Sequence, residues 1–153
     1  MVTADEIVAV APAAIRLRRA GFDDIDALAA MYLSLYAAYD EVWPLDSVRH
    51  KVRQRLAAGC RAMLFEHDDR PIGAAVWIDI GDHVFLLTYV IDRPYRSQGL
   101  GAALFARLRD EQIGADREIR LETFGEHAPR FWRGCGFEPS FQGMRLCTEE
   151  DRP

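Results

Sequence analysis

The chain is short of cysteine, of net positive charge and of long uncharged runs, and each shortage removes a class of protein. Its three cysteines, Cys60, Cys135 and Cys147, form no Cys-x-x-Cys pair. An odd number without that spacing argues against a disulfide framework and for reduced thiols in a cytoplasm. No cluster of His, Cys, Asp or Glu has metal-ligand spacing, so no metal is expected. The formal net charge is −5, which argues against nucleic acid as partner, because a phosphate backbone needs clustered Lys and Arg. The longest uncharged run, 27–39, is too short to cross a bilayer. Asp5 and Glu6 stand where a signal peptide would be basic. Repeats, linkers and low-complexity stretches are absent as well. These observations point to a soluble, cytoplasmic chain with no membrane partner. It reads as one domain over 1–153, with 1–14 as a loose N-terminal arm.

Periodicity supplies the elements. Residues 15–20 alternate apolar and basic and read as a strand. Over 21–40, Ile25, Leu28, Met31, Tyr32, Leu35 and Tyr39 recur at spacings of three and four. That spacing predicts a helix, capped by Asp23 or Asp24. Pro44 breaks the pattern, and Asp46 or Ser47 then caps a second helix to about Ala58, stopped by Gly59. Strands are expected over 60–68, 72–80 and 83–91, joined by turns at 68–71 and 81–82. A helix follows to about Gly114, then a strand over 117–124. A short helix over 127–137 has Pro129 in its first turn, and 138–147 reads as strand material. The tight turns imply antiparallel strands, and the strand-helix-strand stretch 83–124 implies a parallel pair. The fold class is α/β (α+β), a mixed, mainly antiparallel sheet flanked by helices.

Gly99 and Gly101 stand where a strand gives way to a helix, with Leu100, Leu104 and Leu108 on one face of it. A helix N-terminus offers unpaired N–H groups and about half a positive charge. Glycine there lets an anion approach the backbone closely. Arg96 adds a cation. On spacing alone, the pair is either a phosphate cradle or a device that eases the turn. The dinucleotide fingerprint fails, since the register is Gly-x-Gly-Ala-Ala-Leu, and no Gly-Lys-Ser/Thr of a Walker loop is present.

The stretch "YVIDRPYRSQGLGAALFARL" resembles the acyl-CoA-binding signature of the GNAT superfamily of N-acetyltransferases, a strand, then Arg/Gln-x-x-Gly-x-Gly/Ala, then a helix. "APRFWRGCGF" (128–137) resembles the family's second signature at Ala128, Phe131, Gly136 and Phe137. The order of the two signatures, their separation and the element order along nearly the whole chain are similar to the family's.

The resemblance implies a GNAT-like sheet with one splayed parallel strand pair, and acetyl-CoA as co-substrate. Backbone amides of Arg96, Ser97, Gln98, Gly99, Leu100, Gly101 and Ala102 would hold the pyrophosphate. Tyr89, Val90 and Ile91 would bond the pantetheine arm through their backbone, and an N–H near there would polarise the acyl carbonyl. Phe131 and Trp132 would line the same site. The amine would attack the thioester directly, so Cys60 and Cys135 need no nucleophilic role. The family usually has Tyr where Trp132 stands, as an acid for the departing thiolate. An indole N–H donates a hydrogen bond but is not a usable acid. Gly125 stands where the family often has Asn.

By the same resemblance, the first two helices and their connection would line the acceptor pocket. Tyr36, Tyr39, Asp40 and Trp43 would suit a small cationic amine, or they are core and solvated loop. The general base stays open among Glu122, His83, Asp82 and Asp79. Glu122 is preferred, on the strand that follows the CoA-binding helix, while His83 stands at the far end of its own strand. The expected function is an N-acetyltransferase acting on a small-molecule amine. The alternative is a catalytically silent acyl-CoA-binding or regulatory module. A homodimer is left open.

Overall fold

The computed structural model describes residues 7–123 and 127–139. Along the chain run β1 (Arg16–Ala20), α1 (Ile25–Ala37), α2 (Leu45–Ala57), β2 (Arg61–His67) and β3 (Arg70–Asp79). They are followed by β4 (Val84–Ile91), α3 (Leu100–Leu108), β5 (Ile119–Leu121) and α4 (His127–Gly134). The strands form one sheet in the order β1-β2-β3-β4-β5. Neighbours are antiparallel except β4 and β5, which are parallel. This is the mixed sheet with one parallel pair that the turn pattern implies. No helix of the described residues is long and apolar enough to cross a membrane.

The apolar run of β2 is explained by burial on both faces. Met63 and Phe65 point into a core shared with α3 and α4, together with Ile72, Trp77, Leu104 and Leu108. Ala62 and Leu64 point the other way, to Leu28, Met31 and Tyr32 of α1 and Val48 and Val52 of α2. Alternate residues of a strand face opposite sides, so a central strand covered by helices on both faces must be apolar throughout.

Several boundaries differ from the sequence reading for identifiable reasons. α2 starts at Leu45 with Pro44 as its N-cap and no side-chain cap. Asp46 instead pairs with Arg49, 3.1 Å away. Asp24 precedes α1, but its carboxylate accepts the Gly21 N–H at 2.9 Å and binds Arg18 at 2.9 Å. α3 continues past Leu108 as a wider π turn over Arg109–Ile113. β5 is shorter than 117–124: Arg117 turns aside to Asp79 (2.9 Å) and the Gly81 carbonyl (3.1 Å). The arm is bonded from Val8 on: the Val8 N–H donates to the Pro94 carbonyl at 2.7 Å, and Arg107 donates to the Pro12 carbonyl at 3.0 Å. The strand expected over 138–147 lies outside the described residues beyond 139.

Two irregularities shape the middle of the sheet. Val76 pairs with Thr88 but Trp77 pairs with Leu86, so β4 carries one extra residue, Leu87, opposite β3. Such a bulge bends a strand and re-aims its side chains. On the other half of β3, Gly73 lies where a Cβ would meet the Val90 carbonyl oxygen at 2.5 Å and the Phe65 ring at 2.9 Å. Gly73→Ala should therefore lower stability by about 1–3 kcal/mol, read as a fall in the chemical-denaturation midpoint. An unchanged midpoint would show that β3 and β4 can separate at no cost.

Candidate functional site

β4 ends at Ile91, and Asp92 turns the chain. Its carboxylate accepts the Arg93 N–H at 3.0 Å and the Ser34 hydroxyl at 2.7 Å. Ser97 and Gly99 then take left-handed backbone angles, φ +65° and +80°, and α3 begins at Leu100. A Cβ on Gly99 would meet nothing within 4 Å. The backbone angle, not crowding, calls for glycine there. Gly101 has a different reason. A Cβ there would meet the Phe131 ring at 2.9 and 3.1 Å, so its lack of a side chain lets α4 close on α3.

The other loop side chains hold the turn. The Arg96 Nε donates to the Ile91 carbonyl at 2.6 Å, and Nη2 donates to the Ser34 hydroxyl at 3.3 Å. Burial lowers the Arg96 pKa from its ordinary value. The Gln98 amide accepts the Val10 N–H at 3.0 Å and donates to the Tyr95 carbonyl at 3.1 Å. It clamps the N-terminal arm to the loop. Leu100 is buried in the core.

Three cavities lie end to end along β4. The first, about 630 Å³, has Tyr89, Val90 and Ile91 on one side and Arg96, Ser97, Gly99, Gly101 and Ala102 on the other, closed by Ala128 and Phe131. The second, about 110 Å³, is a passage between Thr88, Tyr89, Glu122, Ala128 and Trp132. The third, about 410 Å³, is walled by Tyr32, Tyr36, Lys51, Arg55, Phe85 and Glu122. Leu35 and Tyr39 of the α1 end line all three. The passage exists because β4 and β5 part. Their pairing ends at Leu86 with Leu121, so past that point the main chain of β4 has no strand partner on the β5 side among the described residues.

An aromatic cluster forms the floor. The Trp132 ring lies edge-on to Tyr89 and Phe105, both at 5.3 Å between centroids, and to Phe137 at 5.2 Å. The Tyr89 hydroxyl donates to the Gly101 carbonyl, and burial pushes its pKa well up. That bond ties β4 to the start of α3. Burial also pushes up the thiols of Cys60 and Cys135, which suits packed thiols and not nucleophiles.

The sequence candidates are thus partly brought together. Glu122 lines both the passage and the 410 Å³ cavity. Tyr36 joins it in that cavity, while Asp40 and Trp43 do not line it. Asp40 occupies a left-handed turn position, and Trp43 leans on Tyr36 at 5.8 Å between ring centroids. His83 is buried at the opposite end of β4, with Nδ1 at 2.6 Å from Asp82 and Nε2 unbonded among the described residues. Six residues at about 3.3 Å each separate it from Tyr89. Arg117 beside Asp79 draws that carboxyl down to about 2. Gly125 lies outside the described residues. The residues missed are Ser34, Lys51, Arg55 and Thr88. Their types at those spacings read as ordinary helix and strand positions, and only packing turns them inward.

Residues 28–137 match the model of the acetyltransferase (GNAT) family. No curated protein matches the chain. Among solved structures, a possible acetyltransferase from Clostridium difficile 630 is similar at 17% identity and TM-score 0.66, over 88% of this chain and 97% of that one. An aminoglycoside N-acetyltransferase in complex with CoA is similar at 16% identity and TM-score 0.66, over 88% and 95%. The PaiA N-acetyltransferase from Thermoplasma acidophilum, in complex with coenzyme A, is similar at 14% identity and TM-score 0.64, over 85% and 94%.

Trp132 is 8% exposed and touches four other rings of the floor. Trp132→Ala should cost about 3–5 kcal/mol, and Trp132→Phe much less. Calorimetric unfolding distinguishes the two. Equal losses would mean that the indole's packing is not what holds α4 in place.

Proposed function

The chain belongs to the acetyltransferase (GNAT) family, and from that premise we propose that it transfers the acetyl group of acetyl-CoA to the amine of a small molecule by direct attack. The observation that carries this reading is the passage at the parting of β4 and β5. It joins a cavity at a helix N-terminus to a second, separately walled cavity. The residues present fit the co-substrate. The amides around left-handed Gly99 and the positive end of α3 suit a pyrophosphate, with Arg96 on the same wall. The edge of β4 past its last described pairing with β5 suits an amide-bearing arm.

Acetyl-CoA supplies an acyl group already activated as a thioester. The protein's part is to hold, orient and neutralise. A main-chain N–H of β4 past the bulge would polarise the carbonyl in a partly dry passage. Phe131 and Trp132 would exclude water. Glu122, on both the passage and the far cavity, would take the ammonium proton, directly or through one water. Trp132 also favours a second reading, a binding module without turnover, because an indole stands where the resemblance places a tyrosine acid, and its N–H is not a usable acid.

One assay separates the two. Acetyl-CoA with an amine panel should release free thiol, and acetyl-CoA at 100 times Kd should stabilise the fold by about 2.7 kcal/mol. Binding without thiol release across the panel would leave the silent module. No binding would overturn both. Gly99→Ala places a side chain at φ +80°, a strain of about 1–2 kcal/mol. It should weaken acetyl-CoA binding about tenfold.

The base has its own test. An amine with a pKa of about 10 is nearly all protonated at neutral pH. Glu122→Gln should lower kcat/KM at neutral pH, and the deficit should shrink as pH approaches the amine's pKa. A pH profile parallel to the wild type would remove Glu122 from proton transfer.

A further inference from the structure

The 410 Å³ cavity has an unexpected charge pattern. Glu41 and Glu122 line it, but so do Arg55 and Lys51, and Lys51 is the only lysine in the chain. The two cations lie four residues apart on α2, hence on one face of it. The sequence expectation of a cationic acceptor rested on the acids and aromatics of 35–46. A purely cationic molecule would meet both of these positive groups.

Arg55 is built into the wall rather than waving from it. Its Nη1 donates to the Tyr32 hydroxyl at 2.6 Å and to the Thr88 hydroxyl at 2.8 Å, and its guanidinium lies 5.4 Å from the Tyr32 ring centre. Both hydroxyls are neutral. Nε and Nη2, which carry the remaining three N–H donors, have no partner among the described residues. Among the described residues, Lys51 Nζ donates only to the Tyr36 hydroxyl, at 3.0 Å. Neither cation has a carboxylate within ion-pair distance among the described residues. Arg49, on the same helix, is paired with both Asp26 and Asp46. A half-buried guanidinium held by neutral groups alone is costly until an anion compensates it. Its unused edge is the fork that matches a planar carboxylate.

From this geometry we infer that the acceptor carries a carboxylate as well as its amine, held by Arg55 and Lys51 at the α2 wall while the amine end faces Glu122 and the passage. The rest of the wall, including Leu35, Phe85 and Leu87, suits an apolar or aromatic side chain on the carbon that carries both charged groups. An amino acid of that kind has all three features. The inference rests on the acetyl-transfer reading only for which group reacts; the binding pattern stands apart from turnover.

The test pairs amino acids with the amines left when their carboxylate is removed: L-leucine with isopentylamine, and L-phenylalanine with phenethylamine. Binding to the wild-type protein in the presence of CoA is followed by calorimetry, and acetyl transfer by thiol release. The carboxylate-bearing member of each pair should bind about tenfold tighter. Arg55→Met should bring the members of each pair within about threefold of one another, and Arg55→Lys should keep part of the preference. Lys51 is exposed, so Lys51→Met tests the same preference with little risk to the fold and should reduce it by about threefold. Equal binding within pairs in the wild type, no binding of either amino acid at millimolar concentration, or a preference that survives both Arg55→Met and Lys51→Met would overturn the inference. A carboxylate preference without thiol release would sink the transfer reading and leave this one standing. Thiol release without any preference would do the reverse.

Discussion

The separation of β4 from β5 governs the rest of the molecule. Parallel strands that stayed paired would seal the sheet, and the two large cavities would be isolated shallow pockets. Pairing stops after Leu86 and Leu121, and the bulge at Leu87 falls at the same level on the other edge of β4. One strand therefore changes its relation to both neighbours within a few residues. A gap opens between the last two strands of the described sheet, with the main chain of β4 on one side and Glu122 on the other.

Helix α1 links the ends of the site. Its inner face is core, through Leu28, Met31 and Tyr32. Its C-terminal end brings Leu35 to all three cavities, and Ser34 reaches Asp92 and Arg96 at the loop before α3. One helix thus contributes to the wall of the proposed acceptor cavity and to the support of the proposed phosphate loop. Movement of α1 would alter both together.

The charge of the whole chain says little about this site. A net charge of −5 suggests attraction for cations at long range, yet the far cavity holds Arg55 and Lys51 beside its acids. Groups that line one cavity act over a few ångströms, where the local set decides. The same holds for the two glycines. They look equivalent in the sequence, but one answers to a backbone angle and the other to a neighbouring ring.

The sequence by itself determined the sheet's composition, the order of its elements, the parallel pair and the family. The first three follow from local chemistry: alternation in strands, three-four spacing in helices, and turn residues; the family follows from the resemblance carried by the Arg96–Ala102 and Ala128–Phe137 patterns. The first cavity was largely legible too, because Tyr89 to Ile91 and Arg96 to Ala102 are contiguous stretches. The second helix is capped at Pro44 rather than at Asp46 or Ser47, and β5 starts later than residue 117, because Arg49 and Arg117 draw acids into ion pairs that spacing does not reveal. Only the tertiary structure decided that Lys51, Arg55, Thr88 and Glu122 share one cavity while Asp40 and Trp43 lie outside it. These residues come from a helix, the middle of a strand and the end of another. Their meeting depends on the angle at which α2 crosses the sheet and on where β4 and β5 part, and neither is set by nearest neighbours along the chain.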